Sequence, residues 1–353
     1  MEKYDFHGKE SEAKLIQAHP SEEFMQEISS LKNLPATVML RDDLDIERLE
    51  ADLAALSGSE FWALQRSFED GAVGEESDVD WKVLPLRAPA GDLQRTDPGG
   101  PGRDGFADTP LMAKAPYLSR ILSELGTELR SVRLMALAPG VSVEEHSDTP
   151  LGLPYGYVRL HIPLVTNPGA VMVLDGVEQR WQPGTLWYAD FERPHALRNS
   201  GDRARIHLVA DVATNDRLLA LFPDSFRADL PASDIAYYRP VLPLTSRELE
   251  EFGCSFAVPF SFMEWGEPVV DDHESDLPAE VTAEGGVLVL RAEGHAPVEL
   301  LHLGAGEFRL LGWSEERLLR LDLFDDDPRV ELSTRRGRRR QVVRRPALRP
   351  ATV

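Results

Sequence analysis

Four of the nine histidines fall between positions 146 and 207: His146, His161, His195 and His207. His146 and Asp148 are two residues apart, and on an extended strand residues i and i+2 point the same way. One imidazole and one carboxylate can then reach the same cation. A third ligand must come from elsewhere, and His195, just after a proline at the start of another extended stretch, is the candidate. Two histidines and one carboxylate form the ligand set used by non-haem Fe(II) oxygenases, which leave coordination positions open for reactants. A His-x-Asp pair alone is common by chance; what strengthens it is the arginine ten residues after His195. In RARIHLVAD, Arg205, His207, Val209 and Asp211 share one face, while Ile206, Leu208 and Ala210 take the other. YVRLHIPL repeats the pattern, with Tyr157, Arg159 and His161 opposite Val158, Leu160 and Ile162.

Arginines directed into a barrel need anions, because a buried guanidinium without a partner is costly. Either internal acids such as Asp190 or Asp211 supply the charge, or a dicarboxylate ligand does, gripped bidentately.

These residues need strands to position them, and the sequence supplies strands from Ser131 onward. SVRLMAL alternates, VEEH is short and extended, and AVMVLDGVEQRW reads as two strands joined at Asp175-Gly176, a strong hairpin signal. TLWYAD and RARIHLVAD follow. Short strands at this spacing mean a sandwich or barrel. The fold class expected is therefore mainly β with flanking helices. Residues 1–130 read as a helical and loop region packing on the barrel, with a polar lead-in over 1–33, a short strand at Leu34–Leu40 and helices at Asp45–Leu56 and Pro116–Leu129. The β core is placed at 131–213 and a helical or irregular connection at 214–270. A small β-rich domain with an Arg-rich tail is placed at 271–353. Residues Ala88–Pro110, rich in Gly, Pro and Asp, read as one long loop, of the kind that serves as a lid or binding loop. Its Arg95, Arg103 and Asp104 are candidates for a substrate head group, or else form a solvated loop. Trp187 is a candidate pocket wall, or else core packing.

Composition narrows the rest. The chain has 353 residues, 42% of them hydrophobic and 28% charged, as in an ordinary soluble globular protein. No apolar run of about 18 residues predicts a membrane span, and the N-terminus lacks the features of a signal peptide. Cys254 is the only cysteine, which excludes a disulfide scaffold and suggests a reducing, cytoplasmic setting. The net charge is −22. Arg335–Arg349 contains eight arginines and no acid, leaving 30 basic against 60 acidic groups before it. A body so acidic repels nucleic acid. The tail is expected either to be solvated or to lie against an acidic surface, its own included.

The segment PGVSVEEHSD…RLHIPLVTN…WQPGTLWYADFERPHALRNSGDRARIHLVAD resembles the aspartyl/asparaginyl β-hydroxylase domain and the related bacterial cis-proline hydroxylases. The resemblance covers about Ser131–Asp216. It implies a double-stranded β-helix of the jelly-roll or cupin-like kind that binds Fe(II) and the co-substrate 2-oxoglutarate and reacts with O2. It also implies that His146, Asp148 and His195 hold the iron and that Arg205 binds the distal carboxylate of 2-oxoglutarate. Arg159 and His161 match an Arg-x-His pair that contacts the co-substrate. Asp148 places the chain nearer the bacterial amino-acid hydroxylases than the animal aspartyl hydroxylases, which lack a carboxylate there. It also argues against the related halogenases, which carry a small residue there. The implied activity is hydroxylation of an unactivated C–H of an amino acid or peptidyl side chain (Asp, Asn, Pro or Arg-like), with release of succinate and CO2. The competing expectation is a non-catalytic cupin-like binding or sensor module.

Overall fold

A computed structural model describes residues 31, 33–69, 71–148, 150–264 and 274–349. The polar lead-in expected before residue 31 lies outside the described residues. Two antiparallel sheets, one of eight strands and one of four, build the first half of the molecule. The larger runs Thr37–Arg41, Leu186–Ala189, Tyr157–Val165, Arg205–Ala213, Leu129–Leu137, Trp81–Pro89 and Ala63–Leu64, with Phe106–Asp108 added against Trp81–Pro89. The smaller runs Val177–Gln179, Ala170–Leu174, His195–Asn199 and Ser142–His146. Together they make the double-stranded β-helix.

Alternation decides which side chains line its inside. On Arg205–Ala213, Leu208, Ala210 and Val212 enter the large apolar core, where they meet Leu49, Leu53 and Leu56 of the helix Ile46–Ser57 and Leu118, Ile121 and Leu122 of the helix Pro116–Glu124. The opposite face is left for Arg205, His207, Val209 and Asp211. Asp45 caps the first helix by accepting from the Arg48 amide at 3.2 Å. The second helix is shorter than its Leu118–Leu129 periodicity suggests. Gly126, at φ +63°, ends the helical run and releases Leu129 into the next strand. Asp175 and Gly176 both adopt positive φ, 50° and 74°, as the hairpin between Ala170–Leu174 and Val177–Gln179 requires.

Several boundaries differ from the sequence expectation. The β-helix begins well before Ser131, because Thr37–Arg41 and Trp81–Pro89 complete its large sheet. Their partners lie far along the chain (Met39 pairs with Trp187, Val83 with Met135), so no local pattern announces them. The Gly/Pro-rich stretch is an ordered connection that folds back as Phe106–Asp108. The region beyond residue 214 is helical and irregular only as far as Gly253. From Cys254 to Leu348 eight antiparallel strands form a closed barrel, sealed where Ser255 and Phe256 pair with Leu348 and Ala347. Val258, Leu290, Phe308, Leu319 and Leu332 fill it. The Arg-rich tail is its last hairpin, Arg329–Arg336 with Arg339–Leu348. Its arginines lie against acids of the same chain: Arg345 on Asp276 at 2.8 Å, Arg344 on Glu331 at 2.6 Å, and Arg336 on Glu192 of the β-helix. Among the described residues no helix is long and apolar enough to cross a membrane.

Candidate metal centre and anion pocket

His146 ends one strand of the small sheet and His195 begins its neighbour, and the two residues are direct partners in the antiparallel register. Such partners hold their Cβ atoms about 5 Å apart, and here the imidazole centroids are 4.2 Å apart. Asp148 follows two residues later, its amide donating to the Phe191 carbonyl at 2.8 Å. That bond ties the strand end to the loop that leads into His195. One ligand atom from each of His146, Asp148 and His195 can be chosen so that all lie within 4.8 Å of one another. No other described group of three or more His, Cys, Asp or Glu side chains meets in this way.

The second nitrogen of each imidazole is also accounted for. Nδ1 of His146 lies 2.8 Å from the Glu144 carbonyl, and Nδ1 of His195 lies 3.0 Å from the Arg193 carbonyl. A carbonyl can only accept, so Nδ1 carries a proton in both rings, and in a neutral ring the lone pair is then on Nε2. This is the tautomer a metal needs. Burial lowers the His195 pKa, which favours the neutral form that coordinates. Asp148 divides its two oxygens. Oδ1 faces Nε2 of His146 at 3.9 Å, while Oδ2 accepts from Arg159.

Behind the triad lies a cleft of about 780 Å³. Its inner wall carries Arg130, Arg133, Arg159, His161, Val209 and Asp211. Arg159 stands opposite Asp211 in the strand register and grips it with Nε and Nη2 at 2.7 and 3.0 Å. Burial alone would lower the Arg159 pKa and raise that of Asp211. Their mutual attraction overrides burial in both, so Arg159 is raised and Asp211 lowered. Arg159 thus gives three of its five donors to Asp211 and Asp148 while still lining the cleft.

Arg205 is different. It is 5% exposed, its Nη2 donates to Nδ1 of His207 at 3.1 Å, and it forms no ion pair among the described residues. Burial pulls its pKa down to about 10. His207 and His161 have their Nδ1 atoms 3.4 Å apart, and burial followed by the Arg205 charge holds both rings neutral. His161 is 6% exposed, lines the cleft, and its Nε2 has no hydrogen-bond partner. Arg205 itself does not line the cleft; it connects to the cleft-lining His161 through His207, and a buried cation without a carboxylate would stabilise an anion brought near it.

The remaining sequence candidates lie elsewhere. Arg95 forks onto Asp97 at 2.7 and 2.8 Å, a local pair that stiffens its own loop. Arg103 reaches Glu284 of the barrel at 3.0 Å. Trp187 donates to Thr185 at 2.8 Å and stacks on Trp181, whose ring in turn meets His161. None of the three lines the cleft. Sequence reasoning missed Arg133, which is 2% exposed, lines the cleft and has burial pull its pKa down to about 10. The signal was present in SVRLMAL, where Arg133 and Met135 share the face opposite Val132 and Leu134.

Residues 44–215 match the family model described as aspartyl/asparaginyl beta-hydroxylase. L-proline cis-4-hydroxylase of Rhizobium meliloti (strain 1021) is 27% identical over 184 residues, 52% of this chain. The chain spans about 60% of that relative's length. Two solved structures are also similar. One is a 2OG-Fe(II) oxygenase family oxidoreductase from Burkholderia pseudomallei, at 14% identity and TM-score 0.35, covering 54% of this chain and 90% of that one. The other is a Trichoplax adhaerens prolyl hydroxylase, solved with a hypoxia inducible factor peptide, at 11% identity and TM-score 0.37, covering 57% and 97%.

Proposed function

We propose that this protein is an Fe(II)/2-oxoglutarate-dependent dioxygenase that hydroxylates an unactivated C–H bond of an amino acid or peptidyl side chain, releasing succinate and CO2. The observation that carries the proposal is the meeting of His146, Asp148 and His195 in a cleft that His161 also lines, with Arg205, a buried cation that has no ion pair among the described residues, linked to His161 through His207. The donor set fits ferrous iron: two neutral imidazoles and one carboxylate on one side, the other side open to the cleft. When bound, the iron and 2-oxoglutarate would supply the O2 activation that protein side chains cannot.

The chain's own residues have distinct tasks. His146 and His195 present Nε2 because backbone carbonyls hold their Nδ1 protons. Arg159 fixes Asp148 so that one carboxylate oxygen remains for the metal. Arg205 would take the distal carboxylate of 2-oxoglutarate, with His161 Nε2 close by for a further contact. Val83, Met135 and Val209 form a small apolar cluster in this region, with Trp81 packed against it, and help keep water from the reacting carbon. The named activity of the Rhizobium relative makes a free amino acid such as L-proline the first substrate to try. The acidic surface disfavours nucleic acid as a partner, and the buried free thiol of Cys254 suits a reducing compartment such as the cytoplasm. A purely ligand-binding cupin-like role is not favoured, since the triad, its orienting carbonyls and the buried guanidinium are all in place.

The protein supplied with Fe(II) and 2-oxoglutarate should form succinate, and an amino-acid substrate should gain one oxygen by mass spectrometry. Stoichiometric Fe(II) binding with no succinate under any amino acid tested would leave the binding-module reading in its place.

A further inference from the structure

The outer wall of the cleft is held from the other half of the molecule. Pro98 and Gly99 line the cleft beside Phe68 and Arg130. The segment that carries them is bonded to the C-terminal barrel at two points: the Gly102 amide donates to Leu311 at 3.1 Å, and the Gly102 carbonyl accepts from Glu299 at 3.0 Å. Arg130 completes the link. Its guanidinium donates to the Gly312 carbonyl, lies 3.5 Å from that of Gly99, and rests over the rings of Phe106 and Tyr157 at 5.3 and 5.2 Å.

Glycine is required where these parts touch. Gly312 adopts φ +83°, and a methyl group on it would overlap the Gly100 carbonyl. A methyl on Gly100 would overlap the Phe68 ring, and one on Gly99 the Phe106 ring. Backbone therefore lies directly on backbone between barrel and cleft, with no flexible side chain to absorb a displacement.

We propose that the C-terminal barrel braces a wall of the substrate cleft rather than standing as a separate module, with Gly312 and Arg130 as the positioning residues that set the place of Pro98 and Gly99 and so the width of the entrance. The bracing stands on geometry alone; only the identity of what passes the entrance rests on the hydroxylase reading. A small movement of such a wall misplaces a bound substrate, whereas the metal ligands, on the opposite sheet, are untouched.

The test compares Gly312→Ala with Gly285→Ala, a barrel glycine also at positive φ (+61°) but with open space around it. Hydrogen exchange is followed at residues 96–105, zinc binding is titrated at the triad, and KM is measured for 2-oxoglutarate and for L-proline as the probe substrate. Gly312→Ala should speed exchange in 96–105, leave zinc affinity unchanged, and raise KM for proline about tenfold with KM for 2-oxoglutarate unmoved. Gly285→Ala should do none of this. Arg130→Met, which keeps every glycine, should reproduce the Gly312→Ala pattern if that variant folds poorly. Unchanged exchange at 96–105 in both Gly312→Ala and Arg130→Met overturns the proposal whatever the activity. Faster exchange with both KM values unmoved overturns the entrance role. Faster exchange in a protein that turns over no amino acid supports the bracing and removes the hydroxylase reading instead.

Discussion

The two β structures of this chain place buried charge differently. In the C-terminal barrel the core is aliphatic and aromatic and the buried charges lie at its rim, where Arg309 is held by Glu315 at 2.5 Å and Glu316 has Arg317 at 3.5 Å. In the β-helix the interior is polar. Arg205 has an imidazole for company, His161 Nε2 has no partner, and the Arg133 guanidinium reaches Asp211 only at 3.7 Å. A structure selected for stability alone would pair or replace such groups. The barrel behaves as a scaffold, and the β-helix holds back part of its stability to keep a ligand site open.

That contrast can be broken by substitution. The largest effect is expected at Asp211. Asp211→Asn leaves Arg159 buried without its main anion and should destabilise the protein by about 3 kcal/mol, read as a lower midpoint in urea. It should also weaken metal binding, because Arg159 is then free to draw Asp148 away from the triad. The next effect separates the two buried arginines. Arg309→Met takes one of two guanidinium groups from the buried Glu315 carboxylate, which keeps Arg239 at 2.9 Å, and should cost about 2 kcal/mol. Arg205→Met should leave stability unchanged or raise it by about 1 kcal/mol, since no acid is stranded. The same Arg205→Met should sharply raise the 2-oxoglutarate requirement for succinate formation. Equal destabilisation by the two substitutions would contradict the contrast.

The smallest effect concerns Glu316, buried beside the seam. Neither of its oxygens accepts a hydrogen bond, and Nη2 of Arg317 is 3.5 Å away. Burial pushes its pKa up to about 7, against the lowering pull of Arg317 and Arg130. The folded state then holds a proton that the unfolded state has released above its ordinary pKa near 4.5. The stabilisation from this group is therefore fully present at low pH and is lost as pH rises from about 4.5 through about 7. Glu316→Gln should flatten that part of the pH–stability profile and raise Tm by ~3 °C at pH 8, with less effect at pH 5.

The clustering of the candidate metal ligands was legible because its information is local. His146 and Asp148 are two residues apart, and Arg205 shares a strand face with His207 and Asp211, so a period of two suffices to place them together. What the sequence hid depends on pairing between distant strands. That Arg159 stands opposite Asp211, and is held by it, follows from a register set across a 52-residue separation. The barrel's closure joins Phe256 to Ala347, and no local pattern states that. The Arg-rich tail misled by composition. Val343 and Ala347 keep an inward alternation within it, but eight arginines outweighed two apolar residues until their acidic partners were in view.

The most direct test of the account is metal titration of the wild type beside His146→Ala and Asp148→Ala, with succinate followed in the same samples. One Fe(II) per wild-type chain with 2-oxoglutarate-dependent succinate, and loss of both in each variant, is the predicted result. Full iron binding and full succinate formation by either variant would contradict the assignment of the site.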